Sequence, residues 1–140
     1  MDVLYTAEAL ATGGGRNGHV VTPDGILDID VRVPKEMGGA GGAPNPELLF
    51  AAGYAACFHS ALQSVARAQK VAIHDTSVGA RVQIGPNGEG GFQLAVELEV
   101  VIPELPQDEA QALADAAHQV CPYSNATRGN IEVTVRVTED

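Results

Sequence analysis

The feature that most constrains this chain is the apolar run Leu48-Leu49-Phe50-Ala51-Ala52-Gly53-Tyr54-Ala55-Ala56-Cys57-Phe58, launched by Asn45-Pro46-Glu47. Asn45 can cap a helix, Pro46 suits the first helical position, and Glu47 complements the positive end of the helix. The pattern predicts a helix to about Lys70. A helix that is apolar nearly all round as far as Ser60 must be buried on most sides. The fold therefore has to be built around one long helix. The run itself is too short to span a bilayer and is followed by His59, Ser60 and Gln63, so a membrane span is not expected.

The flanking segments supply the layers that could cover such a helix. Ile26 to Val33 alternates as a half-buried strand, and Tyr5 to Ala11 alternates weakly before the flexible turn Gly13-Gly14-Gly15. Met37 to Pro44 is a loop by composition. Asp75 to Ile84 and Phe92 to Ile102 read as strands separated by the turn Pro86-Asn87-Gly88. Val96, Leu98 and Val100 lie on one face of the second, opposite Glu97 and Glu99. Gln107 to Val120 reads as an amphipathic helix stopped by Pro122, and Ile131 to Val137 as a closing strand. The order is strands, long helix, hairpin, helix, strand: an α+β chain, expected as a single domain over residues 1–140. With 4% aromatic residues and no Trp, its core should be built from Val, Leu, Ile and Ala.

Eight basic residues against 18 acidic ones leave a net charge of −10 without any basic run. Binding to nucleic acid or to an anionic membrane surface is therefore not expected, because both need clustered Lys and Arg. The acidity suits solubility. The opening Met1-Asp2-Val3-Leu4-Tyr5-Thr6 has no positive region followed by an apolar stretch, and two cysteines make no secreted disulfide framework. A cytoplasmic setting is expected, where a disulfide would be transient and catalytic.

The two cysteines sit in unlike surroundings. Cys57 lies within the apolar run, whereas Cys121 opens Cys121-Pro122-Tyr123-Ser124-Asn125-Ala126-Thr127-Arg128-Gly129-Asn130. The plain reading of Cys57 is a small buried hydrophobe. Its use as a nucleophile requires the thiolate, hence a cation within about 4–6 Å to offset desolvation. Arg67 is ten positions away on the same helix, about 15 Å along the axis, which is too far. Arg16, in Gly13-Gly14-Gly15-Arg16-Asn17-Gly18, and Arg128 are the candidates, each otherwise a solvated loop arginine. Zinc is the competing use of thiols. No Cys-x-x-Cys pair is present, and Cys57-Phe58-His59 puts its two ligand types on different helix faces, so no metal site is expected. A cysteine hydrolase would need a base other than His59. No phosphate-binding glycine motif is present, since Gly38 to Gly42 leads into no Gly-Lys-Ser/Thr.

Four segments, taken together and in order, resemble the organic hydroperoxide resistance proteins, a branch of the osmotically inducible protein C superfamily. They are Tyr5-Thr6-Ala7, Gly13 to Gly18, Asn45 to Phe58 and Val120 to Asn130, and the match spans essentially the whole chain. The resemblance implies an OsmC-like fold, with a long buried central helix wrapped by antiparallel sheets in an intertwined homodimer. It also implies a bacterial, cytoplasmic thiol peroxidase acting on organic hydroperoxides without metal, haem or other bound cofactor. Cys57 would be the peroxidatic thiol and Cys121 the resolving one. Arg16 would stabilise the thiolate, and Glu47 would hold Arg16. The external reductant would be dihydrolipoyl groups on a lipoylated protein. The sister-branch peroxidases, or a redox-responsive binding module, are the alternatives. Glu47 and Cys57 lie ten positions apart, about 15 Å along an unbroken helix, so a clamp on the arginine beside Cys57 needs either a helix break near Gly53 or a Glu47 from the partner subunit. The uninterrupted helical pattern favours the second.

Overall fold

The computed structural model describes residues 1–139, and the chain divides into two compact units, Met1–Leu49 and Phe50–Asp140. The first unit is a three-stranded antiparallel meander of β1 (Leu10–Gly14), β2 (Asn17–Val21) and β3 (Asp28–Asp30), followed by a 3-10 turn at Lys35–Met37. β1 and β2 form a tight hairpin whose turn is Gly15-Arg16, so Gly13 and Gly14, expected in the turn, pair inside the ladder with Gly18 and Asn17. Close backbone approach sets the residue here: a Cβ on Gly18 would stand 2.2 Å from the Thr12 carbonyl oxygen. Backbone cannot swing aside as a side chain can. Gly18→Ala is expected to lower stability by about 2 kcal/mol or more through this clash, visible as a lowered urea midpoint. The expected strand over Ile26–Val33 shrinks to three residues, since Thr22, Asp24 and Leu27 close a turn ahead of it.

His19 clamps β2 to β3, with Nδ1 2.8 Å from Asp30 Oδ1 and Nε2 2.5 Å from Asp28 Oδ1. Hydrogen bonds to Asp30 and then Asp28 raise its pKa above the ordinary 6.5. Because the folded-state value is the higher one, the clamp is complete below 6.5 and is lost as pH rises through the raised value.

α1 (Pro46–Ala68) begins as its sequence predicts, with the Leu48 N–H donating to Asn45 Oδ1 at 2.8 Å. It runs unbroken through Gly53. The second unit continues with β4 (Ser77–Pro86), β5 (Phe92–Val101), α2 (Gln107–Val120), α3 (Pro122–Thr127) and β6 (Val133–Thr138). β4 and β5 pair antiparallel, but β6 lies parallel to β5, a departure from the expected all-antiparallel sheets. Two helices stand between β5 and β6, and such a connection lets the chain return in the same direction. α3 is also new: Pro122 ends α2 as expected, yet its fixed φ and missing N–H suit the first position of another helix.

The second unit's core joins Tyr54, Phe58, Leu62 and Ala66 of α1 to Val96, Leu98 and Val100 of β5 and to Ala110, Leu113, Ala114 and Ala117 of α2. Two aromatics thus join the expected aliphatics. On the opposite face of the sheet, Glu97 and Glu99 each pair with both Arg81 and Arg136. The open edge of β6 is occupied by glutamines of α2. Gln111 Nε2 donates to the Val135 carbonyl, Gln111 Oε1 accepts from the Val137 N–H, and Gln107 Nε2 donates to the Val137 carbonyl, all within 3.1–3.2 Å. That satisfies backbone groups which would otherwise invite another strand.

Burial of α1 on most sides is not achieved within one chain. Its buried stripe recurs at helical spacing, whereas Leu48, Ala52, Ala56 and Ser60 remain exposed. Within the second unit, the sheet and α2 pack against that buried stripe, which leaves the opposite side uncovered. Taken to its full 23 residues, α1 is long and apolar enough to cross a bilayer by length and composition, unlike the shorter run read from the sequence. Its buried stripe, however, is already packed against protein.

Candidate active site

Each unit carries one cluster of reactive groups. In the first, Arg16 at the tip of the β1–β2 hairpin forms a two-pronged pair with Glu47. Nη1 donates to Oε2 at 2.8 Å and Nη2 to Oε1 at 2.6 Å. The parallel fork matches guanidinium to carboxylate and fixes the orientation of both. Arg16 holds the Glu47 carboxyl below the usual 4.5, and Glu47 in turn raises Arg16. With the folded value depressed, the pair is intact above pH 4.5 and is lost as pH falls through the lower value. Arg16 keeps 40% of its side chain exposed, so the fork retains a face for a further partner.

In the second unit the two cysteines, 64 positions apart, meet. The Cys121 thiol donates to Cys57 Sγ at 3.6 Å, and both are free thiols. Three elements deliver this contact. Cys57 lies midway along α1, and Cys121 occupies the corner between α2 and α3, fully buried, with its N–H bonded to the Ala117 carbonyl. The first turn of α3 adds the Tyr123 backbone N–H, whose influence favours the Cys57 thiolate. Burial, followed by the Cys121 contact, raises the Cys57 pKa, while the Tyr123 N–H works in the opposite direction. The expected lowering is therefore not a property of the second unit by itself, because desolvation wins where a lone N–H opposes it.

Arg128, the rival cation, is engaged elsewhere: Nη1 donates to the His118 carbonyl at 2.9 Å and Nη2 to Asn125 Oδ1. Arg67 lies in the last turn of α1, ten positions past Cys57. His59 bonds Thr76 Oγ1 at 2.8 Å, and no group of three or more His, Cys, Asp or Glu among the described residues is arranged to hold a metal.

Sequence reading gave no role to the residues packed around the thiols. Phe50, Tyr54 and Tyr123 form an aromatic trio with ring centres 5.6–5.9 Å apart. Gly53 makes room for it, since a Cβ there would lie 2.8 Å from Tyr123 Oη. Beneath the trio, Tyr54 Oη meets Ser124 Oγ at 2.9 Å and Thr127 Oγ1 at 3.0 Å, and Ser124 Oγ meets His118 Nδ1 at 2.7 Å. The available signal was the spacing of Ser124 and Thr127, three apart and so on one helix face. We expect Gly53→Ala to leave stability nearly unchanged, since Ala gains about 1 kcal/mol of helix propensity. The displaced Tyr123 should weaken the influence of its N–H on Cys57 and raise the thiol pKa further. Alkylation rates of Cys57 measured across pH would read this, and an unmoved midpoint would mean that the ring swings without the backbone.

Comparison with known proteins finds the OsmC-like protein family matching residues 39–136. The chain is 53% identical over 135 residues to the organic hydroperoxide resistance protein of Xanthomonas axonopodis pv. citri, covering 95% of this chain and 94% of that protein. It is 43% identical over 134 residues to the organic hydroperoxide resistance protein OhrB of Bacillus subtilis, covering 96% and 98%. The crystal structure of an organic hydroperoxide resistance protein from Elizabethkingia anophelis superposes with a TM-score of 0.94 at 55% identity, over 100% of both chains.

Proposed function

The chain belongs to the OsmC-like protein family, and from that premise we propose that it detoxifies organic hydroperoxides as a peroxidase, reducing them to alcohols with its own thiols. The observation that carries the reading is the Cys121 thiol 3.6 Å from Cys57 Sγ, a separation that a small approach converts to a disulfide bond of about 2.05 Å. Relatives named organic hydroperoxide resistance protein, at 43–53% identity, supply the substrate class.

The chemistry follows from the groups present. The Cys57 thiolate attacks the distal peroxide oxygen, the O–O bond breaks, and the alcohol departs, leaving sulfenic acid on Cys57. Cys121 then attacks that sulfur, water leaves, and a Cys57–Cys121 disulfide remains. A dithiol reductant opens the disulfide by exchange. We assign that role to dihydrolipoyl groups on a lipoylated protein, with no bound cofactor or metal. Arg16, oriented by Glu47, supplies the positive charge that favours thiolate over thiol and stabilises the developing alkoxide. The apolar residues around Cys57, Phe50 among them, suit an alkyl tail better than hydrogen peroxide.

The same reading makes the working form a homodimer with shared sites. α1 is unbroken, so Glu47 and Cys57 stay ten positions apart along it, and the arginine fork of one chain would serve the thiol of its partner. The apolar surface left uncovered on one chain supports this assembly: Leu48 and Ala52 on α1, and Val3, Leu4 and Tyr5 ahead of β1. The setting proposed is the bacterial cytoplasm, away from membranes and nucleic acid.

The deciding assay compares consumption of cumene hydroperoxide and hydrogen peroxide, with dihydrolipoamide and then glutathione as reductant. Repeated turnover of cumene hydroperoxide with dihydrolipoamide is expected. A single oxidation without turnover under either reductant would instead describe a redox-responsive binding module.

A further inference from the structure

Four polar side chains from three helices form one continuous hydrogen-bonded chain next to the thiols, and the peroxidase chemistry uses none of them. Thr127 and Ser124 stand on α3, Tyr54 on α1 and His118 in the last turn of α2. Tyr54 and Ser124 are fully buried and Thr127 nearly so. Contacts of 3.0, 2.9 and 2.7 Å link Thr127 to Tyr54, Tyr54 to Ser124, and Ser124 to His118 Nδ1.

The placement of these residues is specific. His118 lies three residues before Cys121, and Ser124 and Thr127 lie three and six residues after it, so the chain brackets Cys121 on both sides. Tyr54 lies three residues before Cys57, one helical turn away, so the same chain is anchored on the element that presents the other thiol. Apolar packing around α1 is non-directional, whereas hydrogen bonds fix direction and register. Burial and the nearby Arg128 disfavour protonated His118, so its Nδ1 can accept from Ser124, whose Oγ can accept from Tyr54, while the Thr127 hydroxyl donates to the Ser124 carbonyl at 3.2 Å. A chain running in one sense is mutually reinforcing.

We propose that Tyr54, Ser124, Thr127 and His118 are positioning residues for the resolving step, holding Cys121 in line with Cys57 so that the sulfenic acid closes to a disulfide before a second peroxide arrives. This deepens the peroxidase reading and rests on it. In the step concerned, Cys57–S–OH and Cys121–SH give the disulfide and one water: the sulfur–oxygen bond breaks, the sulfur–sulfur bond forms, and the thiol proton leaves with the hydroxide. No outside reductant enters. None of the four side chains hydrogen-bonds to either sulfur, and they act through the segment that carries Cys121. A misplacement of about 1 Å between reacting atoms costs on the order of 100-fold in rate, which sets the scale of what such a device protects.

The test follows the fate of Cys57 after one equivalent of cumene hydroperoxide in the full-length protein, Tyr54→Phe, Ser124→Ala and Ser124→Thr. Disulfide is read by mass spectrometry, and sulfenic acid as its dimedone adduct on Cys57. Peroxide consumption in the first step should stay within about threefold of the parent, while disulfide closure slows by about tenfold or more in Tyr54→Phe and Ser124→Ala. The dimedone adduct should rise, and excess peroxide should drive Cys57 on to sulfinic acid. Ser124→Thr, which keeps the hydroxyl, should recover closure. If Tyr54→Phe fails to fold, Ser124→Ala decides alone, since it removes a single oxygen. Closure at the parent rate in folded variants overturns the proposal, and so does a slowing that Ser124→Thr does not reverse, because packing would then be responsible. If the parent protein accumulates sulfenic acid and never forms the disulfide, the resolving role of Cys121 itself fails.

Discussion

Cys57→Ser should abolish consumption of organic hydroperoxides, with a loss of about 10³-fold or more, because the remaining thiol, Cys121, is fully buried. Cys121→Ser should behave differently. It should still consume one equivalent of cumene hydroperoxide at close to the parent rate, then stall with sulfenic acid on Cys57. The contrast follows from the geometry, in which Cys121 is fully buried while Cys57 is only partly so. Stopped-flow consumption of a single equivalent, followed by mass analysis of both cysteines, checks this. Equal loss in both variants would mean that the thiols act as a unit from the start. Under limiting peroxide, Cys57 oxidised beside a persistently free Cys121 in the parent protein would remove the resolving role.

Arg16→Ala should leave the fold intact, raise the Cys57 pKa and slow peroxide attack by roughly 10²–10³-fold, the usual scale for removing one preorganised charge from a reaction centre. Within the second unit, burial and then the Cys121 contact raise the thiol, so the cation has a deficit to reverse. Arg128 is held by His118 and Asn125, and Arg128→Ala should therefore change the thiol pKa little. If the two variants exchanged these phenotypes, Arg128 would be the activating cation. Glu47→Ala should be as impaired as Arg16→Ala, since it frees the guanidinium from the fork that orients it. Subunit mixing then separates cis from trans action. An inactive Glu47→Ala dimer exchanged with an inactive Cys57→Ser dimer should regain roughly one competent site per heterodimer, as a shared symmetric interface requires. Exchange that occurs without recovery would place Glu47 in service of its own chain, or of none.

Much of this was legible in the sequence because it depends on local physics. Asn45-Pro46-Glu47 announces the start of α1, and the Asn45 side chain makes the capping bond that its type and position foretell. The alternation of Val96, Leu98 and Val100 with Glu97 and Glu99 separates a core face from a charged one, and both faces are found as expected. The amphipathic pattern of Gln107 to Val120 coincides with α2. Arg16 and Glu47, named from a family resemblance, do form a pair, and so do Cys57 and Cys121.

Tertiary structure decided the remainder, where one residue's meaning depends on a distant neighbour. Pro122 reads locally as a stop, and only the return of the chain toward β6 makes it the first residue of α3. The direction of β6 is equally invisible in its own residues, since a strand has the same pattern whether its neighbour is parallel or antiparallel. Gly53 looks like a flaw in a helix until Tyr123, 70 residues later, occupies the space that a Cβ would need. Tyr54, Ser124, Thr127 and His118 read as isolated polar residues, and their buried chain exists only because three helices bring them within 3.0 Å of one another. The sequence by itself determined α1, the β4–β5 hairpin, α2, the closing strand β6 and which side chains could do thiol chemistry, because capping, periodicity and residue type act over a few positions. Which groups meet was decided by packing, because contacts across 64 or 73 positions depend on the whole fold and leave no periodic mark in the chain.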